Sequence, residues 1–419
     1  MLDLTAFCAE HLGQENGEIV FEVQISKNKR GCLKEPSYEK DANLILGSVL
    51  KRRLLSGAVV GILDGGHQEF FLVGKGLPVD GLFEIGSLSK IYTGFLLAVL
   101  IEQKRIGLED SLCHHLPSWV CPSPVANPIR IFDLATHTSG LPLLPDDVGR
   151  MRRRIDDPYD GYTFDDLYRY LARTSLERPA SPSYFYSNLG YAVLAQAMAN
   201  ATGIPFPKLV LQEVFEPLKL HDTFVEEPLA PGIERLLPGH TALGRPAIPW
   251  LSPVFAGCGA VASTAADCLR FLELCISPPP EWRAVVENSL KPIFAPEGKV
   301  EESHLSLAWK INDTSGWNWH NGVTGGHSAY LSFHPGRRQG IVVLTDRYAI
   351  DLTTDFARRM QRVLEGYPAE PLTGSYNLPR SIATQAVIEF VNLPFWVRSG
   401  ATAAIAGGVL EALLRWLPR

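Results

Sequence analysis

A serine and a lysine in the stretch FEIGSLSKIYTGF, residues 83–95, have the types and spacing of a nucleophile and its base. Ser87 follows Gly86 at a predicted helix start, and Lys90 falls one turn further on the same face. Residues 91–101 carry no charge, which predicts a buried helix. A buried lysine is costly unless its ammonium is paired or loses its proton. The neutral amine can take a proton from serine. The alternative is a lysine at a helix start that reaches solvent.

The Ser-x-x-Lys spacing does not select this pair by itself, because two common residues recur by chance in a chain of 419 residues. The same spacing occurs in three other pairs: Ser26-Lys29, Ser37-Lys40 and Ser48-Lys51. The first two pairs lie in a lysine-rich, irregular stretch, and the lysine of the third begins the charged end of a helix. The surrounding sequence therefore favours Ser87 and Lys90.

A second motif is Tyr186-Ser187-Asn188, the only Tyr-x-Asn among the thirteen tyrosines, directly before a helix pattern. A tyrosine held near cations can have its pKa lowered enough to act as a general base. Asn188 can hydrogen-bond Lys90 and a substrate amide. Taken alone, the motif also fits a loop with a helix cap.

A third motif is WHNGVTGG, residues 319–326, which precedes a predicted hairpin. Glycines at the start of a strand often mark the close approach of another backbone or of a ligand. His320 would offer a positive or donor edge to the tyrosine oxygen or to the substrate. The alternative is a glycine-rich turn with a histidine on its rim.

The three motifs, in this order and separation, resemble those of the penicillin-binding-protein and class C β-lactamase-like serine hydrolases. The resemblance covers about residues 40–366 and includes further stretches of the chain. These are IGLEDSL, IFDLATHTSGLP, YSNLGYAVLA, VFEPLKLHDT, AGCGAVASTAADCLRFL and HSAYLSFHPGRRQGIVVLTD.

The resemblance implies a role for each candidate residue. Ser87 is expected to be the acylated nucleophile, Lys90 its proton partner, and Tyr186 the base that later activates the deacylating water or acceptor. The backbone N–H groups of Ser87 and Val323 are expected to form the oxyanion hole. His137 is expected to order a loop rather than to catalyse. The remaining substrate-binding candidates are Asn188, His320 and Gly322.

The third motif departs from the Lys-Thr-Gly that β-lactamases and many transpeptidases of this family carry, because His320-Asn321-Gly322 stands in its place. A His-x-Gly variant resembles the family's esterases, D-amino-acid amidases and peptidases, and acyl-transfer enzymes. We therefore expect a hydrolase or acyltransferase acting on an ester, thioester or amide, with weak β-lactam hydrolysis. The alternatives are a penicillin-binding or sensing protein without turnover, and a β-lactamase.

Composition and charge limit the other possibilities. A net charge of -6 gives no basic surface for nucleic acid. The N-terminus has acidic residues where a secretory signal needs basic ones, and the seven cysteines are odd in number and irregularly spaced. We expect reduced thiols, a cytoplasmic location, no metal and no cofactor.

Strand patterns near both ends with helix patterns between them predict an α/β (α+β) fold of the β-lactamase/transpeptidase type. It consists of an antiparallel sheet flanked by helices, with an inserted, mainly helical domain. We expect the sheet part to comprise about residues 37–100 and 261–366, and the helical part about residues 101–260. Residues 1–36 are expected to be an N-terminal extension.

Residues 367–419 fall outside the resemblance and end in an apolar tail interrupted by Pro394 and Gly400. Neither half reaches the about 20 apolar residues of a membrane span. We expect two helices that pack on the protein or on a second copy. Docking to a carrier or synthase and peripheral membrane contact are the second and third alternatives.

Overall fold

Short apolar segments separated by glycine-containing turns form the strands of the fold. A computed structural model describes residues 37–52, 54–121, 125–148, 157–179, 183–226, 232–296 and 304–372. Its strands are β1 (Gly57–Asp64), β2 (His67–Gly74), β3 (Phe83–Glu84), β4 (Phe224–Val225), β5 (Val261–Ser263), β6 (His304–Leu305), β7 (Lys310–Asn312), β8 (Trp317–Val323), β9 (Ser328–His334) and β10 (Gln339–Thr345). Its helices are α1 (Glu39–Lys51), α2 (Ser89–Glu102), α3 (Ile131–Ala135), α4 (Phe164–Ala172), α5 (Asn188–Thr202), α6 (Phe206–Val210), α7 (Ala256–Gly259), α8 (Ala265–Ile276), α9 (Arg283–Leu290) and α10 (Ile350–Leu364).

The large sheet has seven strands in the order β2-β1-β10-β9-β8-β7-β6, and its paired strands are antiparallel. The β1–β2 hairpin turns at Gly65 and Gly66, whose φ values of +59° and +106° glycine adopts without strain. β1 pairs with β10, so strands from the two ends of residues 40–366, the region of the resemblance, meet in the sheet. The predicted fold class is confirmed.

Alternation along β1 divides the apolar side chains between two cores, as expected for a sheet covered on both faces. Ala58, Val60 and Ile62 pack with residues of α1 and α10. Val59 and Leu63 belong to the larger core, which contains α2 and α8. The sheet is therefore a middle layer, with α1 and α10 on one face and α2 and α8 on the other.

Helix α2 lies in the interior because it is apolar on all sides. Its residues from Ser89 to Leu100 are buried, including Lys90 at 0% exposure. Gly94 permits close packing, since a Cβ there would lie 2.8 Å from the carbonyl carbon of Leu307. The burial of this helix thus places the charged side chain of Lys90 in the core.

A small sheet in the order β3-β5-β4 carries two buried carboxyl groups. Glu84 lies in β3, and Glu226 directly follows β4. Glu226 is 0% exposed, and neither of its oxygens has a hydrogen-bond partner among the described residues. Burial, and then the nearby charge of Glu84, raise the pKa of Glu226 well above its ordinary value.

We expect Glu226→Gln to raise the free energy of unfolding at pH 8 and to have a smaller effect near pH 5. The raised pKa means that the folded state holds the proton more tightly than the unfolded state. The stability linked to this proton is therefore present below the unfolded pKa and is lost as the pH rises through the folded one. Urea unfolding between pH 5 and 8 measures the difference. Glu287→Gln, on the exposed face of α9, is the control, and parallel pH curves for Glu226→Gln and wild type would contradict the expectation.

The cysteine prediction was wrong for one pair. Cys113 and Cys121 form a disulfide with a Cα–Cα distance of 5.7 Å, whereas Cys258, Cys268 and Cys275 are buried free thiols. The 3-10 turn at Leu112–His115 and the following turn at residues 117–120 fold the chain back over eight residues. An odd total number of cysteines conceals such a local pair.

Two predicted extensions, residues 1–36 and most of 367–419, lie outside the described residues. Helix α10 ends at Leu364, and the described chain continues to Leu372, which is buried beside α1. Within the described ranges, none of the helices combines the length and the apolar character needed to cross a membrane.

Candidate active site

Ser87 lies in the 3-10 turn Gly86–Leu88, which runs directly into α2. Gly86 has φ +52°, and a Cβ there would lie 2.6 Å from the backbone nitrogen of Val323. Both the backbone conformation and the close approach therefore require glycine. Ser89 fixes the turn, because its hydroxyl donates to the Gly86 carbonyl at 2.6 Å and accepts from the N–H of Val261 at 3.0 Å.

Lys90 makes three hydrogen bonds from its buried Nζ. The nitrogen donates to Ser87 Oγ at 3.2 Å, Asn188 Oδ1 at 2.8 Å and the Cys258 carbonyl at 2.8 Å. The ammonium also lies 4.8 Å from the ring centroid of Tyr186. All three ammonium protons have acceptors, which is how the fold tolerates this buried charge.

The partners of Lys90 differ in one respect that matters for chemistry. The amide oxygen of Asn188 and the carbonyl oxygen of Cys258 are acceptors only, whereas the Ser87 hydroxyl can also donate. A neutral amine has two protons and one lone pair. Two N–H groups directed at the fixed acceptors leave the lone pair facing Ser87 Oγ, so this geometry suits transfer of the serine proton to the lysine.

Asn188 begins α5, and the cap of that helix positions it. Ser187 accepts from the N–H of Gly190 at 2.8 Å through Oγ, which also donates to the Pro142 carbonyl at 2.6 Å. The N–H of Ser187 donates to His137 Nδ1 at 3.0 Å. His137 therefore orders the Tyr-x-Asn segment, as predicted. Burial, followed by the charge of Lys90, lowers its pKa well below the ordinary value.

Tyr186 lies at the same cavity as Ser87. Its ring is 4.6 Å from the ring of His137, and its face is turned to the Lys90 ammonium. The structure therefore brings together the four side chains that the sequence predicts for the site, which are those of Ser87, Lys90, Tyr186 and Asn188.

The third motif forms the end of β8 and presses against the serine turn. A Cβ on Gly322 would collide with the Ile85 carbonyl oxygen and lie 3.0 Å from the backbone nitrogen of Ser87. Only glycine fits this contact. Together with the contact of Gly86 and Val323, it places the two backbone N–H groups predicted for the oxyanion hole on adjacent segments.

His320 is not placed to offer the positive or donor edge that the sequence predicts. Its side chain is buried, and Nδ1 lies 2.6 Å from the Asn321 carbonyl oxygen, to which it donates. Burial, and then the charges of Lys310 and Lys90, lower the pKa of His320 well below its ordinary value. The ring is therefore neutral, and Nε2 is an acceptor.

Lys310 is a pocket residue that the sequence analysis missed. It pairs with Trp319 across β7 and β8, and its Nζ lies 4.5 Å from the Trp319 ring centroid. It lines a cavity of about 310 Å³ with Ser87, Tyr184, Tyr186, Asn321, Gly322, Val323 and Ile350. A lone lysine in a three-residue strand gives no signal in the sequence, because only the register of β7 on β8 brings it here.

A serine in contact with a buried lysine, beside two converging backbone segments, is the arrangement expected of a serine hydrolase site. In this protein the arrangement lies at an antiparallel sheet flanked by helices. Both features together define the class of the protein as a serine hydrolase of β-lactamase-like fold.

Comparison with known proteins agrees with this class. The model of the Beta-lactamase family matches residues 45–361. The D-alanyl-D-alanine-carboxypeptidase/endopeptidase AmpH of Escherichia coli K12 is 29% identical over 231 residues, 53% of this chain and 58% of that protein. A beta-lactamase of Providencia stuartii is 25% identical over 65% of this chain and 70% of its own. The chain thus spans little more than half the length of AmpH.

Solved structures show the same fold. A class C beta-lactamase from Rhodobacter sphaeroides superposes with a TM-score of 0.65 at 22% identity, covering 78% of this chain and 100% of that one. A beta-lactamase/D-alanine carboxypeptidase from Pseudomonas syringae gives 0.65 at 21% identity, covering 77% and 98%. The chain belongs to the Beta-lactamase family, and it is an enzyme of that family.

Proposed function

We propose that the protein forms an acyl intermediate on Ser87 from an ester, thioester or amide and passes the acyl group to water or to another acceptor. The observation that carries this proposal is the hydrogen bonding of Lys90. Two acceptors without protons hold the amine, and the remaining direction faces the Ser87 hydroxyl. Tyr186, at the same cavity, is the candidate base for deacylation.

We further propose that esters or D-amino-acid peptides are better substrates than β-lactams. His320 is buried and neutral at the position where β-lactamases of the family carry a lysine, so the third motif lacks its usual charge. The neighbouring Lys310 gives the cavity a cation from another strand. A substrate with a carboxylate beyond the scissile bond would complement that charge.

A substrate panel tests the proposal. The wild-type protein would be incubated with p-nitrophenyl esters, acyl thioesters, D-alanyl peptides and a chromogenic cephalosporin, and intact mass would be recorded during turnover. We expect an acyl adduct that maps to residues 83–90 and a higher kcat/KM for an ester or D-alanyl peptide than for the cephalosporin. A cephalosporin that exceeded every other member of the panel would reject the preference.

A sensor that is acylated without turnover is the second candidate. It is favoured only by the buried, neutral His320, which removes one charged group from the pocket. The same mass experiment separates the two candidates. A stoichiometric adduct that persists for hours without product would identify the sensor.

Two features of the chain bear on its location. The sequence predicts the cytoplasm, whereas a disulfide such as Cys113–Cys121 is typical of oxidising compartments. Cell fractionation combined with thiol counting decides between them. We also propose that residues 367–419 dock a second copy or a carrier.

A further inference from the structure

A buried carboxylate network joins the serine turn to the segment after β8, outside the residues assigned to the chemistry so far. Glu84 Oε2 accepts from Thr324 Oγ1 at 3.0 Å and from His327 Nδ1 at 2.8 Å. Glu84 Oε1 accepts from the backbone N–H of Trp250 at 2.9 Å. Exposure is 2% for Glu84, 0% for Thr324 and 1% for His327. A carboxylate is costly to bury unless donors such as these satisfy it, so its position in the interior calls for an explanation.

The position of Glu84 in the chain suggests what the network does. Glu84 lies three residues before Ser87, and Thr324 directly follows Val323. The carboxylate therefore ties together the two segments whose backbone N–H groups, those of Ser87 and Val323, lie beside each other. Glu84 and Thr324, which link these two segments, are 240 residues apart in the sequence.

Thr324 is the direct link between the carboxylate and the β8 end. Its hydroxyl donates to Glu84, and the same oxygen accepts from the N–H of His327 at 3.1 Å. The N–H of Thr324 donates to the His327 carbonyl at 3.0 Å. The turn after Val323 is thus closed on itself and anchored to Glu84 of β3 through the Thr324 hydroxyl and the His327 ring.

The network requires a carboxylate rather than an amide. An amide side chain has one acceptor oxygen, whereas the three donors use both oxygens of Glu84. Glutamine would turn an N–H group toward a donor. The buried His327 ring has no partner for Nε2 among the described residues, so its one polar contact is the bond to Glu84.

We propose that Glu84, Thr324 and His327 form a brace that sets the spacing and direction of the two N–H groups of the oxyanion hole. This inference rests on the proposed acyl-Ser87 chemistry. Glu84 and Thr324 are positioning residues, because they act through the backbones of Ser87 and Val323. Donors of this kind stabilise the transition state more than the bound substrate, so loosening the brace lowers kcat more than it raises KM.

The test compares Thr324→Val with Thr324→Ser in the full chain. Valine keeps the shape and removes the hydroxyl, whereas serine keeps the hydroxyl. The assays are hydrolysis of a p-nitrophenyl ester and inhibition by phenylboronic acid, whose tetrahedral adduct with serine places an oxygen in the oxyanion hole. Loss of one oxyanion donor costs about 10²–10³-fold in kcat, so a misplaced donor is expected to cost about 10–100-fold.

We expect Thr324→Val to lower kcat by that factor and to leave KM within about threefold. The affinity for phenylboronic acid should fall in proportion to the loss of kcat/KM. Thr324→Ser should remain within about threefold of wild type in each quantity. Thr353→Val, which removes another fully buried hydroxyl on α10, is the matched control. It should keep the activity of wild type.

Several outcomes overturn the brace. An equal kcat in Thr324→Val and wild type would do so. A lower kcat without a weaker affinity for phenylboronic acid would also do so, because the loss of activity would then not come from the oxyanion hole. If Thr324→Val fails to fold, His327→Leu removes a different donor of the same carboxylate and must show the same split between kcat and KM. A wild-type protein that neither hydrolyses the panel of substrates nor binds the boronic acid would overturn the proposed function first, and the brace with it.

Discussion

Replacing Ser87 with alanine is expected to abolish covalent labelling by a fluorophosphonate and to lower ester turnover by about 10⁴-fold or more. The acyl intermediate needs an oxygen nucleophile at this position, and removal of a serine nucleophile leaves only the assistance of the remaining site groups. Intact mass should show one adduct on wild type and none on the variant. Since Ser87 sits in a turn fixed by Gly86 and Ser89, the loss of one hydroxyl should leave the fold intact.

The chain offers a matched control for this experiment. Ser48 has the same Ser-x-x-Lys spacing to Lys51, but it lies on α1, where its hydroxyl donates to the Leu372 carbonyl at 2.6 Å. Ser48→Ala should therefore keep full labelling and turnover. Labelling that survives in Ser87→Ala, or disappears in Ser48→Ala, would reject the assignment of the nucleophile.

The difference between these two serines shows what sequence reasoning could reach. The uncharged run after Lys90 predicts a buried helix, and α2 is buried from Ser89 to Leu100. The single Tyr-x-Asn motif predicts a partner for the lysine, and Asn188 contacts it. These inferences succeeded because burial and helix starts are encoded within about ten neighbouring residues.

Other parts of the site depend on pairings that no local pattern encodes. Lys310 reaches the cavity through the register of a three-residue strand on β8. Glu84 precedes the serine motif in the sequence, but nothing local indicates its role. Its partners Thr324 and His327 lie 240 and 243 residues further along the chain. The neutral state of His320 follows from its burial and from the nearby lysines, which are tertiary facts.

The second large effect is expected for Lys90→Met, which should slow acylation of Ser87 by about 10²–10⁴-fold, the range for removal of a general base. Methionine approximates the length and volume of lysine without its nitrogen, so the helix packing is retained. Two buried acceptors, Asn188 Oδ1 and the Cys258 carbonyl, lose their donor, and each unsatisfied group costs about 1–3 kcal/mol. Thermal unfolding must therefore be measured beside the labelling rate.

Lys51→Met is the control, because that lysine belongs to the exposed end of α1. The decisive quantity is the rate constant for labelling by the fluorophosphonate, since it reports the attack of Ser87 and excludes deacylation. We expect complete but slow labelling of Lys90→Met, because the nucleophile is still present and only its proton acceptor is gone. A folded Lys90→Met protein that is labelled as fast as wild type would show that Lys90 is an ordering group. The contact of its Nζ with Ser87 Oγ would then have no chemical consequence.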